Sequence, residues 1–236
     1  MEELLVRAGQ ALERVRSVHP LVMCVTNSVV TNWTANCLLA LGAVPAMVAE
    51  PEEAAELAAT AGAVLVNVGT VDRHQAETMR AAIANCRVHG VPWVLDPVAV
   101  DRLGFRRALV EELLACGPRL VRGNQREIAF LRPALGTVTT LATGAVDAVG
   151  ELRIANGTPL LQRVTGTGCA QGGLAAAFCA GESDARVAAV AAALTMALAG
   201  ETASAVAQRP GTFQSALLDA LDGLTAADFM ARGRVS

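Results

Sequence analysis

The run VTGTGC at residues 164–169 leads from a strand-like segment through two glycines into a helical pattern. Gly166 and Gly168 would let the backbone approach a ligand closely, and the free amides at a helix start attract anions. Such a turn suits a phosphoryl group whose charge spreads during transfer. Cys169 would lie in the first helical turn, so we expect a lowered thiol pKa. By spacing alone, an ordinary glycine-rich turn is an equally good interpretation.

Two further segments place carboxylates after predicted strands. Asp96 follows an apolar strand and precedes a proline, where its carboxylate could bind Mg²⁺ through water. In RGNQRE at residues 122–127, Asn124 would cap a helix and Glu127 would face the same side. Glu127 could then hold a metal while Arg122 reaches phosphate. A common Asp-Pro turn and a capping box explain these residues equally well.

Asparagines form the last group of candidate residues. Asn27 follows a predicted strand, and Asn32 and Asn36 lie four residues apart on one face of the helix after it. Amides that point inward could orient a small polar heterocycle. A solvated polar stripe on the helix surface remains an open interpretation.

The amino-acid composition excludes several kinds of chemistry and partner. The chain has 236 residues, a net charge of −3 and no lysine. The missing lysine excludes Schiff-base chemistry and the phosphate-binding lysine of P-loop proteins, so backbone amides, arginine and metal would have to bind ATP. The absence of a basic run argues against a nucleic-acid partner. Six cysteines without a Cys-x-x-Cys pair give no zinc framework.

Apolar strand-like runs alternate with helical patterns, which predicts an α/β fold with a mostly parallel sheet and helices on both faces. No linker or repeat divides the chain, so we expect one domain over residues 1–236. All four groups would then lie at the carboxyl ends of strands, where ligands bind in such sheets. A hairpin at Asn156-Gly157 would join the last two strands. The predicted strands cover residues 21–25, 46–49, 63–68, 92–95, 120–121, 138–142, 152–154 and 160–164.

The sequence also bears on where the protein works. Its longest apolar stretch, residues 187–199, is too short to cross a bilayer. The acidic, amphipathic N-terminus differs from a signal peptide. We therefore expect a cytoplasmic protein without a membrane partner.

Taken in order, these motifs resemble the hydroxyethylthiazole kinase family. The resemblance covers nearly the whole chain and is most specific in the run at residues 21–50 and in VTGTGC. Shorter matches are NVGTV at 67–71, VLDPV at 94–98, RGNQREI at 122–128, ATG at 142–144 and PGTF at 210–213. The resemblance implies a ribokinase-like fold and transfer of the γ-phosphoryl group of ATP, with Mg²⁺, to the hydroxyl group of 4-methyl-5-(2-hydroxyethyl)thiazole in thiamine biosynthesis or salvage.

The same resemblance implies roles for the residues that bind the two substrates. Asn27, Met47 and Gly166 would contact the thiazole alcohol, and Arg122 and Thr143 would contact ATP. The family is typically a homotrimer with each site formed between subunits, so we expect that assembly here.

For metal and catalysis, the resemblance points to Asp96 and Glu127 on the metal side and to Gly166, Gly168 and Cys169 at the reacting groups. Cys169 stands where many superfamily relatives carry an aspartate base. As a thiolate it could accept the alcohol proton. As a thiol it would be a poor base, which leaves positioning and charge stabilisation as the main catalytic terms.

Two segments depart from the family pattern. Residues 99–103, AVDRL, replace a glycine-rich run, so Asp101 adds repulsion near phosphate unless Arg102 or a metal offsets it. The stretch from Glu127 to Thr143 lacks about one helix of roughly a dozen residues, and the remaining residues 123–137 just suffice for a parallel crossover.

Two alternatives remain open. One is a related ribokinase-like kinase of a pyrimidine or pyridoxal alcohol, although the segment through Met47 favours the thiazole. The other is a catalytically weak thiazole-binding protein, which the altered loop and the missing helix would favour.

Overall fold

A sheet of eight strands forms the centre of the fold in the computed structural model, which describes residues 1–236. In chain order the strands are β1 (Leu21–Val25), β2 (Val44–Met47), β3 (Ala63–Asn67), β4 (Trp93–Asp96), β5 (Leu120–Asn124), β6 (Thr139–Thr143), β7 (Asp147–Val149) and β8 (Leu152–Ile154). They lie side by side in the order β2-β1-β3-β4-β5-β6-β7-β8. All pairs from β2 to β6 are parallel, and β7 and β8 add an antiparallel edge. The mostly parallel sheet predicted from the sequence is therefore confirmed.

Helices cover both faces of this sheet. They are α1 (Glu2–Val18), α2 (Thr31–Leu41), α3 (Pro51–Ala58), α4 (Arg73–His89), α5 (Gly104–Leu114), α6 (Gln125–Leu135), α7 (Thr167–Gly181), α8 (Ala185–Val206), α9 (Pro210–Gly223) and α10 (Ala226–Arg232). Successive strand residues point to opposite layers. Val22 and Cys24 pack with α1, α2 and α7 to α10, whereas Met23 and Val25 pack with α3 to α6.

The helices α7 and α8 fill the middle of the layer that contains α1, α2 and α7 to α10. Their small residues allow the neighbouring helices to approach them closely. Helix α8 has 22 residues and is long and apolar enough to span a membrane. The apolar stretch at residues 187–199, which was expected to be too short for this, is therefore part of a longer helix. However, 83% of the most apolar part of this helix is buried inside the fold. α8 is thus the central core helix of this layer.

The strand predicted at residues 160–164 is wrong. Pro159–Arg163 forms a 3₁₀ helix, which Thr158 caps by accepting a hydrogen bond from the Leu160 amide. The free edge of β8 is instead covered by the C-terminus, where Arg153 and Ser236 exchange two backbone hydrogen bonds. The hairpin predicted at Asn156-Gly157 is also wrong, because no strand follows it. The actual hairpin joins β7 to β8 through Gly150, whose φ of 59° favours glycine.

Other differences from the sequence predictions are small. β2 lies two residues earlier than predicted, at Val44–Met47 instead of 46–49. The shortened segment after Glu127 still forms a complete parallel crossover, because α6 alone carries the chain from β5 to β6. The sheet therefore tolerates the missing helix.

Helix α2 packs closely on α7 at Gly173. A Cβ atom added there would lie 3.2 Å from Thr34 Cγ2 and 3.4 Å from Leu38 Cδ1. We expect Gly173→Val to overpack this contact and lower the free energy of unfolding by about 1 to 3 kcal/mol, measured by denaturant titration. The control Gly223→Val places its side chain where nothing lies within 4 Å and should change stability by about 0.5 kcal/mol or less. Equal effects of the two substitutions would refute this packing argument.

Candidate active site

Polar side chains from four strands meet at the carboxyl edge of the sheet. Asn67 ends β3 and lies in register with Asp96 at the end of β4. Arg122 points from β5, and Thr143 ends the neighbouring β6. The N-terminus of α7 lies across these strand ends, since its glycines pack against Arg122 and Asp96. The fold thus brings most of the predicted site residues to one place.

The turn before α7 has the geometry of an anion-binding site. Gly166 adopts a φ of 84°, and the first backbone hydrogen bond of the helix runs from the Ala170 amide to the Gly166 carbonyl at 2.8 Å. The three preceding amides, of residues 167–169, donate no hydrogen bond to the backbone, as expected at a helix start. A Cβ on Gly166 would lie 2.5 Å from Val30 Cγ1. Only glycine therefore fits this turn.

Arg122 is the buried cation of the site, with 8% of its surface exposed. Its Nη2 donates to Thr143 Oγ1 at 3.0 Å, and Nε and Nη2 both donate to Gln171 Oε1 at 3.3 and 3.2 Å. Nη1 lies 3.5 Å from Asp96 Oδ2. A Cβ on Gly168 would come within 2.8 Å of Nη1. The guanidinium thus lies directly beside the free amides of α7.

Asp96 is fully buried, and only one of its two carboxyl oxygens has a hydrogen-bond partner. Its Oδ2 accepts a hydrogen bond from Asn67 Nδ2 at 2.8 Å, whereas its Oδ1 has no partner. Burial raises the pKa of Asp96 to about 7, which the Arg122 charge opposes and the Glu127 charge reinforces. An unpaired buried carboxylate oxygen is costly in a fold, and this carboxyl group lies beside Arg122.

Glu127 holds two segments of the site together. Asn124 and Glu127 form the capping box at the start of α6, in which Glu127 Oε2 accepts from the Asn124 amide at 2.8 Å. Its Oε1 accepts from the Ala99 amide, also at 2.8 Å. Ala99 has a φ of 60°, a conformation that glycine adopts more easily. The altered loop therefore keeps a glycine-like backbone that Glu127 stabilises.

The charge of Asp101 in this loop is offset, but mainly by a residue that the sequence did not single out. Its Oδ2 lies 2.8 Å from Arg126 Nε and 3.7 Å from Arg102 Nε. Arg126 belongs to α6, so this ion pair also connects the loop to the helix that carries Glu127.

The lowered thiol pKa predicted for Cys169 is wrong. Burial raises the pKa of Cys169 to about 11, and the nearby Asp96 carboxylate raises it further, against smaller lowering effects of Asn67, Arg122 and Asn27. The helix start cannot offset this desolvation because Cys169 is buried and the hydrogen bond that its sulfur accepts from Asn27 Nδ2 is long at 3.8 Å. Cys169 is therefore a thiol at neutral pH.

Asn27 lies on the other side of Cys169. Its Oδ1 accepts hydrogen bonds from the Val29 amide at 3.0 Å and from the Thr70 hydroxyl at 3.3 Å. Met47, at the end of the edge strand β2, is half-buried. Both residues lie outside the main cavity of the site.

Asn32 and Asn36 do not point into the site. Asn36 Nδ2 donates to the side chain of Asn32 at 3.0 Å, and Asn32 is exposed. The solvated polar stripe is therefore the correct interpretation of this pair.

The cavity beside the anion-binding turn has a volume of about 630 Å³. Its wall includes Arg122, Thr143, Gly168 and Gln171 at one end and apolar side chains of the 3₁₀ helix and α8 at the other. A shallower cleft of about 670 Å³ opens at the opposite end of the sheet, away from all of these groups. Only the first cavity combines a buried cation with free helix amides.

Sequence reasoning missed three polar residues of this site, Asn67, Asp147 and Gln171. Asn67 could have been found, since it ends an otherwise apolar strand that lies beside β4. Gln171 is likewise the polar exception in a buried helical run. Asp147 gave no signal because the strand it begins was not predicted.

Comparison with known proteins places this arrangement in context. A model of the hydroxyethylthiazole kinase family matches residues 12–136 and 134–227. The chain is 46% identical to a hydroxyethylthiazole kinase of Pectobacterium carotovorum over 94% of its length and 96% of the relative's. It is 43% identical to one of Kineococcus radiotolerans over 92% of its length and 91% of the relative's.

Solved structures agree with these sequence relatives. A hydroxyethylthiazole kinase protein of Pyrococcus horikoshii superposes with a TM-score of 0.93 at 36% identity, over 97% of this chain and 98% of that one. A ribokinase-like superfamily protein of Enterococcus faecalis shares the fold, with a TM-score of 0.64 at 14% identity and 89% coverage of both chains. The ribokinase-like fold expected from the sequence is confirmed.

The buried Asp96 should make stability depend on pH. Because burial raises its pKa from 3.8 to about 7, the folded protein retains a proton that the unfolded chain has lost between these pH values. Stability should therefore fall as pH rises through this window. We expect Asp96→Asn, without nucleotide or metal, to gain stability over the unsubstituted protein as pH rises through this window, by a few kcal/mol at most.

Chemical denaturation at a series of pH values measures this difference. The exposed Asp219, which forms no ion pair, provides the control Asp219→Asn, whose difference from the unsubstituted protein should stay flat. A constant difference for Asp96→Asn across the window would show that Asp96 ionises normally.

Proposed function

The chain belongs to the hydroxyethylthiazole kinase family, and from this we propose that its cavity binds ATP while the Cys169 side of the glycine turn binds the thiazole. The protein is a kinase that phosphorylates the hydroxyl group of hydroxyethylthiazole in thiamine salvage. The alternatives of a pyrimidine or pyridoxal kinase and of a weak thiazole binder have no support beyond the two sequence departures, and the fold accommodates both departures.

The observation that carries the assignment of ATP is the convergence of Arg122 with the free amides of residues 167–169 on one cavity. Phosphoryl transfer requires positive groups that are already in place where charge develops. The chain contains no lysine, so this arginine and these amides take the phosphates. Thr143 accepts from Arg122 and donates to the Gly123 carbonyl at 3.3 Å, and it thereby orients the guanidinium toward the cavity.

Arg122 and the amides of residues 167–169 form what we call the phosphate cradle. Magnesium fits the carboxylates of Asp96 and Glu127 behind this cradle. The orphaned Oδ1 of Asp96 offers a hard oxygen ligand of the kind that Mg²⁺ prefers. Glu127 Oε1 and Oε2 each accept one amide hydrogen bond, so Glu127 would face the ion's water shell and keep the Ala99 loop in place. When bound, Mg²⁺ supplies charge neutralisation for the phosphates.

Cys169 would face the alcohol as a neutral thiol. A raised thiol pKa excludes it as an efficient base near neutral pH. The thiol and Asn27 instead hold the hydroxyl in line, and Gly166 and Gly168 let the turn pack closely against Val30 and Arg122. A loose transition state needs little help from a base, because bond breaking to the leaving group precedes bond formation to the alcohol. Positioning and charge stabilisation carry the catalysis.

The thiazole side would be completed by a second subunit. Met47 is half-buried and ends an edge strand whose outer side has no partner. Such an edge is normally covered, and a homotrimer with sites between subunits would cover it. We further propose that residues 1–236 act as one kinase domain and that the protein works in the cytoplasm.

The direct test is incubation of the purified protein with ATP, Mg²⁺ and 4-methyl-5-(2-hydroxyethyl)thiazole, followed by mass spectrometry. We expect thiazole-dependent phosphorylated product. Arg122→Met should lower kcat by about 10²-fold or more, because it removes the buried cation of the cradle. The control Arg119→Met changes an exposed arginine outside the cavity and should keep full activity. Absence of product from folded protein that binds the thiazole would refute ATP as the donor.

A second test concerns Cys169. We expect Cys169→Ala to keep kcat within about tenfold, because a neutral thiol contributes position and not proton transfer. The dependence of kcat on pH should be the same in both proteins. Cys179→Ala, near the other end of the same helix, controls for loss of a buried thiol. A loss of about 10³-fold that Cys169→Asp restores would instead identify Cys169 as the general base.

A further inference from the structure

We propose that Asp147 recognises the ribose hydroxyls of the nucleotide and makes the enzyme prefer ribonucleotides to 2′-deoxynucleotides. The proposal rests on the proposed use of ATP in this cavity. It concerns a carboxylate on the cavity wall that has no part in the phosphate cradle.

Asp147 begins β7 directly after the loop that follows Thr143. Its Oδ1 accepts a hydrogen bond from the Gly144 amide at 2.9 Å, which fixes the loop and the orientation of the carboxylate. The Gln171 side chain also lies close enough to hydrogen-bond to this carboxylate. A carboxylate has about four acceptor sites, so Asp147, which lines the cavity and is half-buried, can accept further hydrogen bonds from a ligand there.

The distribution of charge in the cavity argues for a hydroxyl-bearing ligand at this point. Of the side chains that line the cavity, only Arg122 and Asp147 are charged. A second anion would repel a triphosphate, so the phosphates belong at Arg122 and the α7 amides. Gln171, whose Oε1 accepts from Arg122 at 3.2 Å, lies next to Asp147 as well. The carboxylate therefore lies one side chain beyond the phosphate cradle.

The rest of the cavity suits a base better than a sugar. Pro159, Leu161, Met196 and Ala197 give it an apolar end, which matches the flat face of a purine. Asn156 also lines this end, but its side chain already bonds Glu201, the Arg232 carbonyl and the Arg234 amide. The order along the cavity is thus phosphates at Arg122, ribose at Asp147 and base at the apolar end.

A carboxylate oxygen accepts hydrogen bonds from hydroxyl groups, and acidic residues bind the ribose 2′-hydroxyl in this way in other nucleotide sites. A nucleotide that lacks this hydroxyl would shield the Asp147 carboxylate from water without supplying a donor in its place. Sites built around such a polar group reject the deoxy analogue, because the group is left unpaired.

The experiment compares kcat/KM for ATP, 2′-deoxy-ATP and inosine triphosphate, each with Mg²⁺ and saturating thiazole. For the unsubstituted protein we expect 2′-deoxy-ATP to be about tenfold worse than ATP, as befits one hydrogen bond to a charged group. Asp147→Ala should bring that ratio close to one by raising KM for ATP with little change in kcat. Asp147→Asn, which keeps the acceptor for the Gly144 amide, should show an intermediate ratio.

Asp219→Ala is the matched control, since Asp219 is exposed and lies outside this cavity; its ratio should equal that of the unsubstituted protein. Equal use of ATP and 2′-deoxy-ATP by the unsubstituted protein would overturn the proposal, and so would undiminished discrimination in Asp147→Ala. If Asp147→Ala instead relaxes discrimination against inosine triphosphate, the carboxylate reads the base amine and the proposal is wrong. No product with any nucleotide would overturn the donor assignment itself, and this inference with it.

Discussion

The site depends on one buried guanidinium. Arg122 sits where β4, β5, β6 and α7 meet, and it is held from three of these elements, by Asp96, Thr143 and Gln171. Arginine suits this place because its planar fork satisfies several acceptors at once and still keeps its charge when buried. Gly168 follows from the same constraint, since a Cβ there would come within 2.8 Å of Nη1. A lysine could serve the phosphates but not all three of these acceptors in their present places.

The second constraint is the carboxylate of Glu127, which connects its own helix to Ala99, 28 residues earlier in the chain. It caps its own helix through the Asn124 amide and holds Ala99 in a left-handed conformation. The loop that replaces the glycine-rich run thus keeps its course by a hydrogen bond instead of by glycine. The Asp101–Arg126 ion pair connects the same two segments. Helix α6 therefore holds this loop at Ala99 and at Asp101.

Much of this arrangement could be predicted from the sequence. The strands that carry Asp96 and Arg122, the capping box at Asn124 and the glycine turn all follow from local patterns and their order. Tertiary context decided the rest. The strand expected at 160–164 is a 3₁₀ helix because the C-terminus already pairs with β8, and no local pattern reveals that pairing. The thiol pKa of Cys169 was mispredicted because a helix start lowers it only where desolvation is weaker.

Asp96 shows what the fold gives up for its site. A fully buried carboxyl group with one unpaired oxygen makes the fold less stable as pH rises from 3.8 to about 7. The neighbouring Arg122 compensates only partly, at a distance of 3.5 Å. A residue selected for stability alone would be apolar here, as the rest of β4 is. Buried polar atoms that lack a hydrogen-bond partner are usually found at functional sites. Asp96, which carries such an atom, lies beside Arg122, the only buried cation in the cavity.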